Sequence, residues 1–407
     1  MAPAMLRWGF EYDIAEMTAR VQPESSGTGF QFEEVAGRRG LKLDGSSTGV
    51  RFKTQQNLRQ LGAGDFTCMA WVSHDVNDAG TVGDILTKFS GPQRTGFHLS
   101  VVTNAGVTNG QSNLRQIQFG VEAGSEPVLQ DCGRPGKAIY IFALISFRGK
   151  LFCATCEPGE KETGHVYRYG GEQKWIDCGA PDRCNAVSAL AEHNGELYVG
   201  TAWYNLKGSS LDASPNLHPG GRVFRYLDDK KWEDCGRIGN SKSVYGLIVY
   251  EGNLYASSLY APAGVFRYEG GQTWTFCGTA PEGKRIEALT VYQGGLYGTG
   301  FDKGEIYRYE GDGVEDRRGV ARDDADEGIR NPSGELYAST WPTAIVYRYV
   351  KDDEWAPCGR MGEELESMPL AHYNGALYTG TLPSGEVFRF DGGETWKRWP
   401  GLIRRRW

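Results

Sequence analysis

The side chains best suited to chemistry in this 407-residue chain gather where a repeated pattern is interrupted. Between Trp203 and Gly220, Trp203 and Tyr204 offer flat apolar faces beside fixed donors and acceptors on Asn205, Asn216 and His218. Aromatic faces flanked by amides and an imidazole suit a sugar, whose ring is apolar above and below and hydroxylated at its edge. The carboxylates Glu287, Glu327 and Glu366 come from separate repeats at neighbouring heights. Glycoside hydrolysis needs two carboxyls about 5 to 9 Å apart, so this set is one route to catalysis. Uronate elimination is another, with His218 or Tyr204 as base and Arg285 or Lys284 neutralising the uronate carboxylate. Tyr245, Tyr260, Asp302 and Trp341 lie in corresponding loops and first-strand starts, and they complete a candidate ligand-binding rim. The acidic run from Asp323 to Glu327 offers oxygen ligands to Ca²⁺, although a solvated acidic loop is the simpler reading. His74, His98, His165, His193 and His372 have no ligand spacing, no H-E-x-x-H and no G-x-S-x-G nearby, so metal and serine-nucleophile catalysis are unsupported and no catalytic residue or metal ligand is assigned.

The elements that must carry this rim are set by a skeleton that returns along the chain: G-x-L-Y, then V-F/Y-R-Y, then W-x-x-C-G. Its second-strand aromatics are Phe152, Tyr198, Tyr255, Tyr297, Tyr337 and Tyr378, six copies in all. A unit of roughly 40 residues built from short β-type runs and glycine turns predicts the blade of a β-propeller, and the repeat resembles those of kelch-like propellers. Four strands are expected in each blade, for example Ala186 to Glu192, Glu196 to Ala202, Arg222 to Leu227 and Lys231 to Cys235. The leucine column (Leu144, Leu190, Leu247, Leu289, Leu370) and the small residues before it suit a crowded inner strand. Cys132, Cys178, Cys235, Cys277 and Cys358 recur at one position, as small buried apolar residues would. Cys153 and Cys156 are read as structural too. The arginine column (Arg168, Arg225, Arg267, Arg308, Arg348, Arg389) is expected to stack or pair between blades.

Residues 126–133 already resemble the end of a fourth strand, with no three strands of their own. They predict a seven-blade plan with one blade incomplete, the orphan strand near Val128 lying beside the last blade or the chain's end. Before them the runs Gly40 to Gly45, Val50 to Phe52, Phe66 to Val72, Ile85 to Lys88, Phe97 to Val102 and Ile117 to Phe119 alternate between polar turns, the pattern of a β-sandwich. At Gly40 to Gly45, Phe66 to Val72 and Ile85 to Lys88 the chain resembles the laminin-G-like, concanavalin A-like family. The resemblance implies a jelly roll over residues 1–125, followed by the propeller over 126–407. The later hairpins of that family are missing. The pattern therefore implies a propeller inserted in a jelly roll, with the polypeptide truncated at its C-terminus before the sandwich resumes.

Composition agrees with an all-β protein: 40% hydrophobic, 12% aromatic and 57 glycines. A net charge of -7 gives no pull toward polyanions, which disfavours nucleic acid. No secretory signal and no membrane span are legible, and localisation stays open. The expected function is a glycan-binding module presenting propeller rim and jelly roll to a polysaccharide, rather than an enzyme. The alternatives are a glycoside hydrolase or polysaccharide lyase working at the propeller mouth, and a protein-interaction scaffold.

Overall fold

The computed structural model describes residues 23–26, 31–43, 49–52, 67–73, 84–90, 93, 95–105, 110–124, 130–209, 211–260, 262–280, 285–292, 294–300, 304–311, 314–317, 325–330, 335–351, 354–373 and 376–399. They divide into two compact units, residues 1–75 and 76–407.

In the first unit, β1 (Pro23–Ser26) pairs antiparallel with β4 (Val50–Phe52), and β2 (Gln31–Val35) with β3 (Arg38–Lys42). Ala36 and Gly37 close the β2–β3 turn with φ of 51° and 74°. Two positive-φ residues make the tight hairpin whose twist matches its strands. The strand expected from Phe66 to Val72 is not formed over its described part, where Met69 and Trp71 are exposed and the Arg38 guanidinium lies 4.1 Å from the Trp71 ring. An alternating strand is held by a layer that covers its apolar face, and among the described residues nothing buries these two side chains.

The second unit opens with a three-stranded antiparallel sheet of β5 (Asp84–Ser90), β6 (Thr95–Ala105) and β7 (Gly110–Ala123), with β6 central. Six four-stranded blades follow among the described residues, the first two joined into one eight-stranded sheet by the pairing of Ala186 with Cys156. Blade 1 is β8 (Tyr140–Phe147), β9 (Lys150–Cys156), β10 (Val166–Gly171) and β11 (Lys174–Asp177). Blade 2 is β12 (Ala186–His193), β13 (Glu196–Ala202), β14 (Arg222–Asp228) and β15 (Lys231–Arg237), within two residues of the strands expected from sequence. Blade 3 is β16 (Val244–Tyr250), β17 (Asn253–Ser258), β18 (Gly264–Gly270) and β19 (Thr273–Gly278). Blade 4 is β20 (Leu289–Tyr292), β21 (Gly295–Gly300), β22 (Glu305–Tyr309) and β23 (Val314–Arg317). Blade 5 is β24 (Ala325–Arg330), β25 (Tyr337–Trp341), β26 (Ile345–Lys351) and β27 (Glu354–Arg360). Blade 6 is β28 (Glu366–Tyr373), β29 (Ala376–Leu382), β30 (Val387–Gly392) and β31 (Thr395–Arg398).

The core lies between blades. Ala143, Ile145, Phe152 and Val166 of blade 1 pack on Leu190, Leu197 and Phe224 of blade 2, and the same classes of residue meet between blades 2 and 3, 3 and 4, and 5 and 6. The W-x-x-C-G motif stitches this stack. Trp232 Nε1 donates to the Cys178 carbonyl at 3.1 Å, Trp274 to Cys235 at 2.8 Å and Trp396 to Cys358 at 2.7 Å, each from one blade to the blade before it. The cysteines are free; Cys178, Cys235 and Cys358 are buried. The glycine after each cysteine turns the chain at positive φ (Gly179 95°, Gly236 92°, Gly359 98°), and a Cβ on Gly236 would collide with the Gln272 carbonyl oxygen. The arginine column mostly pairs within its own blade, as in Arg225 with Glu233 and Arg389 with Asp391; Arg168, reaching Asp229 of blade 2 at 3.0 Å, is the pair that follows the inter-blade expectation. An acidic residue near the arginine on its own blade's strands is the closer partner.

Candidate functional site

The inner strands of blades 1, 2, 3, 5 and 6 each break register near their start, at Ile141/Ala143, Val187/Ala189, Val244/Leu247, Asp326/Gly328 and Ser367/Leu370. A bulge of this kind re-aims the extra residue, here Phe142, Ser188, Tyr245 and Met368 in blades 1, 2, 3 and 6. Phe142, Tyr245 and Met368 belong to one buried cluster although they come from blades 1, 3 and 6, so the bulge position faces the middle of the ring. Glu287 takes the equivalent place in blade 4, just before β20, with its N–H on the Thr299 carbonyl at 2.7 Å and its carbonyl accepting from Ser257 Oγ at 2.9 Å.

The insertion of blade 2 is anchored on this cluster. Tyr204 packs edge-on to Phe142 at 4.9 Å and stacks on Tyr245 at 6.2 Å, while Tyr140 stacks on Phe142 at 5.2 Å and donates its hydroxyl to Met368 Sδ at 3.6 Å. The Asn185 amide grips Tyr204 at both its N–H (2.8 Å) and its carbonyl (2.9 Å). Asn216, also buried, donates to the Glu162 and Arg183 carbonyls and accepts the His218 N–H. Tyr204, Tyr245 and Asn216 thus stand in the packing of the mouth. The outer surface is left to half-buried Trp203 and Tyr260, 5.5 Å apart, with the Lys242 ammonium 6.0 Å from the Trp203 ring, and to exposed Asn205 and His218. The Asn205 N–H donates to Tyr260 Oη at 3.1 Å.

Glu366 opens β28 opposite Leu382, whose side chain packs on the aromatic cluster. It is 1% exposed and its Oε2 has no hydrogen-bond partner. Burial pushes its carboxyl up to about 7, because ionisation there forfeits hydration. Glu287 is likewise buried; Arg285 and Trp341 are half-buried, and Asp302 lies outside the described residues, as do Lys284 and part of the acidic run proposed for Ca²⁺. No group of three or more His, Cys, Asp or Glu able to hold a metal occurs among the described residues. Other buried carboxylates near this rim are already satisfied: Glu157 accepts from Tyr167 Oη at 2.7 Å, and Glu364 from the Ser384 N–H at 3.1 Å. Phe142, Tyr140 and Met368 were not singled out by sequence; the signal that marks them is their place two and four residues before the inner leucine.

A carboxyl that burial raises toward neutrality can donate a proton or a hydrogen bond to a ligand oxygen. No helix among the described residues is long and apolar enough to cross a membrane.

No protein-family model matches this chain, and no curated protein matches its sequence. Among solved structures, virginiamycin B lyase from Staphylococcus aureus is similar over 64% of this chain and 84% of its own, with a TM-score of 0.51 and 12% identity. YCF48 bound to D1 peptide aligns over 65% and 82% with a TM-score of 0.46 and 12% identity. A chain of the nidogen/laminin complex aligns over 64% and 93% with a TM-score of 0.39 and 11% identity. The lyase likeness is one of fold, and the chain is an all-β protein with a β-propeller architecture.

Proposed function

We propose that the propeller mouth binds a carbohydrate, Glu366 meeting a sugar oxygen while Trp203 and Tyr260 form the outer wall. The observation that carries this reading is the buried Glu366 carboxyl with one oxygen unmet, since a buried polar atom is costly until a partner satisfies it. Tyr260 and Leu382 both pack on the aromatic cluster, which links the wall to the carboxyl. The laminin-G-like resemblance read from the sequence at Gly40 to Gly45, Phe66 to Val72 and Ile85 to Lys88, and the propeller repeat after it, support the reading, because laminin-G-like and propeller domains often bind carbohydrates or proteins. Native affinity electrophoresis through gels holding neutral and uronate-bearing polysaccharides tests it. Retardation by one polymer, weakened about tenfold in Glu366→Gln and in Trp203→Ala, is expected for a contact worth on the order of 1.4 kcal/mol. No retardation by any polymer removes the reading and leaves a protein-interaction scaffold.

A second reading, a glycoside hydrolase or polysaccharide lyase, is favoured by the proton affinity of Glu366, which suits a general acid at neutral pH. Clearing of the polymer in the gel, abolished by Glu366→Gln, is its expected outcome.

A further inference from the structure

The outer wall of the mouth is built on three adjacent stretches of backbone. Ala202 pairs antiparallel with Ser243, Trp203 donates its N–H to the Lys242 carbonyl at 3.0 Å, and Ser243 Oγ donates to the Trp203 carbonyl at 2.7 Å. The Leu259 N–H then reaches the Ser243 carbonyl at 3.4 Å, and the Asn205 N–H meets the Tyr260 hydroxyl. Trp203 of the blade 2 insertion, Lys242 of the passage into blade 3 and Tyr260 just beyond β17 are thus set side by side by main-chain bonds, before any ligand arrives. Over residues 203–209, 241–243 and 258–260 the charged side chains are Lys207 and Lys242, both exposed. Neither forms an ion pair with a described residue, and Lys242 holds its ammonium by the Trp203 ring. Asp212, the one acid of the insertion, comes later in it. The wall offers two flat rings and two ammonium groups with no acid among them.

We propose that the mouth takes an acidic glycan, a uronate-bearing polysaccharide whose ring lies on Trp203 and Tyr260 while its carboxylate meets the Lys242 ammonium. This rests on the carbohydrate reading above and names its substrate class. A neutral sugar needs apolar faces and hydroxyl partners, and a cation adds nothing specific to it. A uronate carries its carboxylate at the edge of the ring whose faces stack, so its recognition needs an aromatic plane with a cation beside it, the pair that Trp203 and Lys242 form. Such a pair separates the acidic sugar from its neutral counterpart by a contact that only the first can make. The net charge of -7 does not decide the matter, because at physiological salt a charge is screened beyond about 8 Å and the local lysines dominate. Glu366 does not oppose an anion either: burial raises its carboxyl toward neutrality, and in the protonated form it donates to a carboxylate oxygen as readily as to a hydroxyl.

Native affinity electrophoresis of the whole protein through polygalacturonate, alginate and hyaluronate, each paired with its carboxyl-reduced form, tests the class. At least one uronate polymer is expected to retard the protein, and its reduced form to retard it several-fold less. Lys242→Gln should weaken retardation by that polymer about three- to fivefold, the scale of a partly exposed ion pair, and leave the reduced form unaffected. Lys231→Gln removes the same charge from the β14–β15 turn, where the lysine is equally exposed and stands outside the wall, and should change neither. Equal retardation by a polymer and its reduced form, or retardation by reduced forms alone, overturns the acidic class and leaves the carbohydrate reading standing. Lys242→Gln that weakens retardation no more than Lys231→Gln also overturns the proposal, since retention then follows bulk charge or another cation. No retardation by either form of any polymer removes the carbohydrate reading, and this one with it.

Discussion

Glu366 is a buried acid whose cost depends on pH, and that dependence is measurable. Its carboxyl is raised from 4.5 to about 7 by burial, so the folded protein binds its proton more tightly than the unfolded chain. The sign follows from linkage: the stability it permits is full below about pH 4.5, and is lost as pH rises through about 7. At about 1.4 kcal/mol per unit the loss is at most on the order of 3 kcal/mol. Urea midpoints at pH 5 and pH 8 should therefore fall in the wild type and fall less in Glu366→Gln; equal falls would remove the group from the balance. The carboxylates of this site were legible in the sequence, because Glu287 and Glu366 stand at first-strand starts that the repeat aligns. The burial of Tyr204 and Tyr245 was not. Aromatic type and loop position say nothing of which rings converge, and only the bulges bring Phe142, Tyr245 and Met368 to one centre.

The blade is the element whose logic is most completely encoded. Its strands, turns and tryptophan–carbonyl stitch follow from W-x-x-C-G and the residues around it, and the motif separates into parts of unequal weight. Trp232→Phe keeps the ring on Tyr226 and removes one hydrogen bond to Cys178, which should cost about 1 kcal/mol. Gly236→Ala forces a side chain into positive φ and against the Gln272 carbonyl, and should cost about 2 kcal/mol or more. Denaturant midpoints rank the two; a milder glycine variant would mean the turn relaxes. The region before the repeats was less legible. Alternation at Met69 and Trp71 predicts a strand, but an alternating pattern becomes a strand only against a layer that covers it, and that condition is tertiary.

For the molecule as a whole, the six repeats announce six blades, and residues 126–133 announce the end of a further strand, of which Val128 lies outside the described residues while Cys132 accepts from Trp175. Two leucines of the same column offer a direct comparison. Leu197→Ala empties a sealed interface and should cost about 2 to 5 kcal/mol. Leu151→Ala removes a side chain from an open wall and should change stability by less than about 1 kcal/mol. Similar losses would mean that Leu151 is covered in solution. The stitches carry one further consequence, in time rather than in space. Trp175, Trp232, Trp274 and Trp396 each reach back to a carbonyl that leaves the ribosome before they do. A nascent blade thus finds its docking edge already waiting, and residues 131–133 put such an edge in place before blade 1 exists. The ring is built to grow in the direction of translation, each blade a template for its successor.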